Sequence, residues 1–147
     1  MQGARAATAA ALPPIVVVDD DAVAASVIVR FLQRLGLRNP VHCADSVAGA
    51  VELVCDLPAP PVLVLLDIHL ADGTGFDVIR ALEPGALGRA AIVVLTASNE
   101  LDDVDEAYAL GAQSFLVKPV AFEGLGDIIR RVGLPWALLD PGEDLPG

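Results

Sequence analysis

Residues 62–67 read VLVLLD, an unbroken apolar run that stops on a carboxylate. Apolar side chains at every position, rather than every second one, mark a strand covered on both faces, as in a parallel sheet between helices. The same design recurs on either side. Ile15–Val18 is a β-branched run ending on Asp19, Asp20 and Asp21. Ala91–Leu95 ends on Thr96, and Ser114–Val117 ends on Lys118 and Pro119. Pro40–Cys43 adds a shorter strand with the least distinct pattern.

Helical patterns fill the gaps. Asp21–Leu35 carries Ala24, Val27, Ile28, Phe31, Leu32 and Leu35 at helical spacing and closes on Gly36. Ser46–Asp56 starts at a capping residue, Asp45 or Ser46, and ends in the proline-rich break Leu57–Pro61. Gly75–Leu82 stops at Pro84 and Gly85, and Leu101–Leu110 stops at Gly111. Ala121–Val132 places Phe122, Leu125, Ile129 and Val132 on one stripe. Strand–helix alternation of this kind predicts an α/β fold, a doubly wound five-stranded parallel sheet. Right-handed crossovers bring every strand's C-terminal end to one edge, where ligands of such sheets bind. Asp19, Asp20, Asp67, Thr96 and Lys118 all stand at strand ends, so the fold gathers them.

Composition narrows the function. The chain has 147 residues, 54% of them hydrophobic, enough for one full core. Its net charge of −11 disfavours nucleic acid, whose phosphates need basic partners. No apolar run is long enough to span a bilayer, so a cytoplasmic protein without membrane contact is expected. Residues 1–13 read as a flexible N-terminal tail rather than a signal peptide, 14–132 as the domain and 133–147 as a C-terminal extension. Cys43 and Cys55 lack metal-ligand spacing and read as two buried thiols in a reducing compartment.

Three carboxylates brought together repel one another and stay ionised only around a cation. An oxygen-only ligand set suits a hard divalent ion, for which Mg²⁺ is the cytosolic choice. Carboxylate, Mg²⁺, ammonium and hydroxyl together can accept a phosphoryl group. The carboxylate attacks, the cations neutralise the equatorial oxygens and the hydroxyl binds one of them.

The motifs IVVVDDD at 15–21, LVLLDIHLADGTG at 63–75, VVLTAS at 93–98 and FLVKP at 115–119 stand in the order and spacing of a two-component response-regulator receiver domain. The chain resembles that family over about Pro14–Val132. The resemblance implies the flavodoxin-like strand order 2-1-3-4-5, for which the chemotaxis receiver is a standard example. It implies a phosphoprotein rather than a turnover enzyme, with self-dephosphorylation compatible. It implies Asp67 as phosphoacceptor, with Asp19, Asp20, Asp67 and the backbone carbonyl of His69 as Mg²⁺ ligands, Asp20 the more direct of the acidic pair. Thr96 resembles the phosphate-sensing hydroxyl, Phe115 the switch aromatic, Lys118 the phosphate-binding lysine and Lys118–Pro119 the cis peptide. A sensor histidine kinase is the implied partner. Ala71 departs from the proline usual there, and His69 and Ser98 occupy positions that tune phosphoryl lifetime in the family. The segments AYALGA and SFLVKPVAFEGLGDIIRRVGLPWALLD resemble small single-domain regulators serving phytochrome-type kinases.

Other readings compete. Asp21 is better explained as a helix cap than as a ligand. A haloacid-dehalogenase-like phosphatase also fits IVVVDDDAV, but it needs a later acidic pair on an apolar strand, and it leaves LLDIHLADG unexplained. A phosphorylation-independent, receiver-like binding module is opposed by the intact Asp20, Asp67, Thr96 and Lys118. About fifteen residues after the last helix are too few for a helix-turn-helix. Leu134, Trp136, Leu138 and Leu139 follow that helix with no layer left to cover them, which predicts a homodimer through the C-terminal third. Tyr108, Phe122, Trp136 and Leu138 are the candidate contacts, and folding of the tail onto its own domain is the competing solution.

Overall fold

The computed structural model describes residues 12–97 and 104–132. In chain order its elements are β1 (Ile15–Val18), α1 (Ala22–Arg34), β2 (Val41–Ala44), α2 (Val47–Asp56), β3 (Leu63–Asp67), β4 (His69–Leu70), β5 (Gly73–Thr74), α3 (Gly75–Ala81), β6 (Ala91–Thr96), α4 (Val104–Ala109), β7 (Ser114–Val117) and α5 (Phe122–Val132). Five strands form a parallel sheet in the order β2-β1-β3-β6-β7. Leaving out the small β4–β5 hairpin, this is the expected 2-1-3-4-5 arrangement. Boundaries move by a residue or two from the expected ones, and residues 101–103, the start of the helix expected over Leu101–Leu110, lie outside the described residues.

Side chains alternate across a strand, so a strand apolar at every position feeds two cores. On one face Ile15, Val17, Leu63, Leu65, Val93 and Leu95 pack with Ile28, Leu32, Leu125 and Ile128 from α1 and α5. On the other Val16, Val18, Val64, Leu66, Ile92 and Val94 pack with Ala50, Val54, Phe76, Val78 and Ala107 from α2, α3 and α4. Burying each large side chain contributes at most roughly 1.5–3 kcal/mol. Strand β2 pairs only with β1 and is merely half-buried, which explains its indistinct pattern.

The helix starts are chemically defined. Asp21 accepts from the Val23 and Ala24 amides at 2.9 and 3.2 Å, which makes it the cap of α1. Ser46 Oγ accepts from Gly49 N at 2.9 Å and caps α2. Gly36, with φ of 85°, takes the left-handed conformation expected after α1. On α5 the buried hydrophobic side chains are Leu125 and Ile128, while Phe122 and Ile129 are half-buried at the margin. Phe122 meets Phe31 edge-on at 5.4 Å and carries the Arg34 guanidinium 4.1 Å above its ring, which ties α5 to α1.

The expectation of two buried thiols is corrected: Cys43 and Cys55 are both exposed and free. Cys43 lies on the edge strand β2, which has no neighbour on one side, and Cys55 lies on the solvent face of α2.

Candidate functional site

Parallel register brings the strand ends to one level. Val18 pairs with Leu66, Asp67 with Leu95, and Thr96 with Val117, so the residues just past these pairs share one edge. Ligand oxygens of Asp19, Asp20 and Asp67 lie within 4.8 Å of one another, the only such acidic or metal-ligating group found among the described residues. Asp19 and Asp67 are buried, and Asp20 is exposed. The structure thus divides the acidic pair. Asp19 lies under the site, where its Oδ1 accepts the Asp21 amide at 2.9 Å, and Asp20 faces solvent.

Lys118 crosses over from β7. Its Nζ lies 3.0 Å from Asp67 Oδ2 and 3.1 Å from Asp19 Oδ2. The Asp67 contact is a good hydrogen bond; toward Asp19 the ammonium donates to Oδ1 at a long 3.4 Å, while Asp19 Oδ2 is buried with an ion-pair contact but no hydrogen bond. Burial pushes the Asp67 carboxyl up to about 6; hydrogen bonding to Lys118 pulls it down, and the charge of Asp19 pushes it up again. Burial works against the Lys118 ammonium too, but its bonds to Asp67 and Asp19 outweigh this and hold its pKa above the ordinary value. One ammonium therefore does not settle two buried carboxylates.

That imbalance is a fit test for a cation. The cluster offers carboxylate oxygens, a buried oxygen lacking a hydrogen bond, a solvent-open side at Asp20, and no His or Cys among its ligands. These features suit a hard, partly hydrated divalent ion such as Mg²⁺. Asp19, Asp20 and Asp67 would hold it. His69 is exposed, and its amide donates to Asp67 Oδ1 at 3.4 Å, so its backbone runs beside the Asp67 carboxylate.

Among the described residues, the other predicted ones lie on β6, α4, β7 and α5 or just after β7. Thr96 is fully buried at the end of β6, with Oγ1 donating to the Ala97 carbonyl at 3.0 Å. Phe115, opposite Val94 on β7, is half-buried against the α2–α3–α4 face, neither sealed in nor free. The Lys118–Pro119 peptide is cis, as the resemblance implies. Tyr108 is exposed on α4, while Phe122 is engaged within the domain by Phe31 and Arg34. Ser98, Trp136 and Leu138 lie outside the described residues.

Two features of the loop that follows Asp67 were not anticipated. A two-residue β4 pairs antiparallel with β5, His69 with Thr74 and Leu70 with Gly73. At its turn Asp72 reaches α2, accepting from Val47 N at 2.7 Å and Ala48 N at 3.1 Å. Gly75, the last residue of the LVLLDIHLADGTG motif, has a steric cause. A Cβ there would lie 2.4 Å from the Asp67 carbonyl oxygen and 2.9 Å from Leu66 Cγ. Gly75→Ala is therefore expected to destabilise the domain by about 1–3 kcal/mol, since a backbone oxygen cannot step aside. Urea unfolding reads this directly; an unchanged midpoint would contradict the close approach.

Sequence and structure comparisons agree with this geometry. Residues 15–130 match the model of the response regulator receiver domain. The chain belongs to the response regulator receiver family, the phosphoacceptor signalling modules of two-component systems. It is similar to the transcriptional regulatory protein CitB of Klebsiella pneumoniae, 40% identical over 72 residues, 48% of this chain and 30% of that protein. The probable methanogenesis regulatory protein FilR2 of Methanothrix harundinacea is 29% identical over 117 residues, 76% of each. The match to CitB thus spans less than a third of that longer protein. Among solved structures, the bacteriophytochrome response regulator RtBRR superposes with a TM-score of 0.76 at 28% identity, covering 92% of this chain and 84% of that one. AtBRR, also a bacteriophytochrome response regulator, gives 0.72 at 31% identity, covering 88% and 98%. Family membership leaves the dehalogenase-type reading without support. Receiver domains in general bind Mg²⁺ at an acidic pocket and are phosphorylated by histidine kinases. Among the described residues no helix is long and apolar enough to cross a membrane.

Proposed function

We propose that this chain accepts a phosphoryl group on Asp67 from a histidine kinase in a Mg²⁺-dependent step, and signals through its C-terminal face. The observation that carries this is the convergence of Asp67, two further carboxylates and the Lys118 ammonium on one sheet edge. An Asp67 oxygen attacks phosphorus, and an O–P bond forms as the P–N bond to the donor imidazole breaks; the departing nitrogen keeps the bonding electron pair and takes a proton from solvent. Lys118, already 3.0 Å from Asp67, neutralises a phosphoryl oxygen. The Thr96 hydroxyl can turn from Ala97 to a second oxygen, and Phe115 can move inward behind it. Bound between Asp19, Asp20 and Asp67, Mg²⁺ would supply charge neutralisation for the remaining oxygens.

Labelling with acetyl phosphate, followed by intact mass, tests the proposal: one Mg²⁺-dependent phosphoryl group per chain is expected. Turnover of phosphate esters, or no label at all, would reject it, the latter in favour of a phosphorylation-independent binding module. Asp20→Ala is expected to weaken Mg²⁺ binding and labelling together by roughly ten- to a hundredfold, as loss of a ligand and a charge requires. If Asp20→Ala titrates with Mg²⁺ like wild type, the cluster does not bind the ion.

The similarity to RtBRR and AtBRR, over most of both chains, supports a bacteriophytochrome kinase as the donor. Phosphotransfer profiling against a panel of kinases separates that donor from others. A cytoplasmic location follows from such a partner. A homodimer through the C-terminal third, with 133–147 as its extension, belongs to the same proposal; a monomer in sedimentation at all concentrations removes it.

A further inference from the structure

Helix α2 begins with four amides that need acceptors from outside the helix ladder or from its cap. Ser46 satisfies Gly49 through its hydroxyl and Ala50 through its carbonyl, at 2.9 Å each. Val47 and Ala48 are satisfied by the two carboxylate oxygens of Asp72, a residue more than twenty positions away. The bond is therefore as much a fastening of the β4–β5 turn as a cap of the helix. Steric contact agrees: a Cβ on Gly73 would lie 3.1 Å from Val47 Cγ2 and 2.7 Å from Asp77 Oδ2. The hairpin is pressed against α2 on one side and α3 on the other.

The hairpin belongs to the loop that leaves Asp67. One end is fixed by β3, the other by the Thr74–Asp77 capping box and by Gly75 N donating to the Ile68 carbonyl at 2.7 Å. Between them lies His69, whose amide meets Asp67 Oδ1 at the long distance of 3.4 Å. A proline at 71 would stiffen this turn by its fixed φ, but alanine stands there.

We propose that Asp72 is a positioning residue for the acceptor site: by fastening the β4–β5 turn to the N-terminus of α2 it holds the His69 backbone beside Asp67. This rests on the phosphoacceptor reading above and adds a residue that never touches the phosphoryl group. The ionised carboxylate suits the task, because the two amides of α2 hold its pKa below the ordinary carboxylate value. Bonds to helix N-terminal amides are also directional, so they fix an angle as well as a distance.

The test compares wild type with Asp72→Ala, Asp72→Asn and Ser46→Ala, which removes the other side-chain cap of the same helix without touching the hairpin. Amide hydrogen exchange at His69 is read by NMR without metal, and Mg²⁺ affinity by titration. Asp72→Ala is expected to speed exchange at His69 and to weaken Mg²⁺ about tenfold, at the low end for outer partners of a metal site. Asp72→Asn should recover much of both, since its amide oxygen still accepts one bond. Ser46→Ala should leave both at wild-type values. Wild-type exchange and affinity in Asp72→Ala would overturn the proposal. Equal changes in Ser46→Ala would overturn it as well, because they would trace the effect to fraying of α2. A wild-type chain that neither binds Mg²⁺ nor takes label would remove the phosphoacceptor reading instead, while His69 exchange would still decide whether Asp72 holds the loop.

Discussion

Asp67→Asn is expected to lose all phosphoryl labelling and, without metal, to be more stable than wild type at neutral pH. The first effect follows from removing the carboxylate proposed to attack phosphorus. The second follows from the raised pKa of about 6. A carboxyl held above its unfolded value binds its proton more tightly when folded. Its stabilising share is thus complete below the unfolded pKa and is lost as pH rises through the folded one. For Asp67 that window runs from about 4 to about 6, and above it wild type carries an ionised group that its surroundings disfavour. Asparagine has no charge to disfavour, so a gain on the order of 1–3 kcal/mol is expected at neutral pH, vanishing toward about pH 4. Thermal melts of both proteins across this range measure it. A flat difference would refute the electrostatic argument, and continued labelling of Asp67→Asn would refute the acceptor assignment.

Lys118→Ala is expected to do the reverse. The ammonium is the only cation that the described residues place against Asp19 and Asp67, whose side chains are 0% and 8% exposed. Removing one partner of a buried pair costs about 3–5 kcal/mol; the lysine is itself a quarter exposed, which lowers this to roughly 2–4. The raised lysine pKa keeps this pairing fully present at neutral pH, to be lost only in the alkaline range. Without Lys118, Asp67 loses the contribution that pulls its pKa down, so the penalty should shrink under acid as the carboxyl protonates. Mg²⁺ should restore more stability to this variant than it adds to wild type, because it replaces the missing charge. Denaturation at about pH 7.5 and about pH 4.5, with and without Mg²⁺, tests all three parts. Equal stability of the two proteins near neutral pH would show that the bridge contributes nothing.

What the sequence alone conveyed follows the physics of each element. Buried parallel strands must be apolar at every position, so Ile15–Val18, Leu63–Leu66 and Ala91–Leu95 announced themselves, and the polar residues ending them marked the edge. Because capping is local, Asp21 was recognisable as a cap and Ser46 as one of two neighbouring candidates, of which the structure selects Ser46 over Asp45. The misses are non-local or short. Strands β4 and β5 have two residues each, too few for any period. Asp72 acts across 25 positions, a pairing that no window contains. Cys43 and Cys55 were misplaced because thiols are usually interior, whereas an edge strand and a helix's solvent face leave them outside. Asp19 and Asp20 both follow the last residue of β1, and their unequal burial divides two adjacent carboxylates between an ion-paired floor and a solvent-facing rim.

The Thr96 hydroxyl carries a consequence for the shape of the response. In this state it already donates to the Ala97 carbonyl. If a phosphoryl oxygen takes it over, no hydrogen bond is created; a neutral acceptor is traded for an anionic one. Bonds to charged groups exceed neutral ones by only about 1 kcal/mol net, which is roughly a fivefold change in the ratio of two conformers. A trade of that size tilts a balance without locking it. As far as this one hydroxyl sets it, phosphorylation would act as a dimmer rather than a latch, and any sharper contrast would have to be added by whatever binds the altered face.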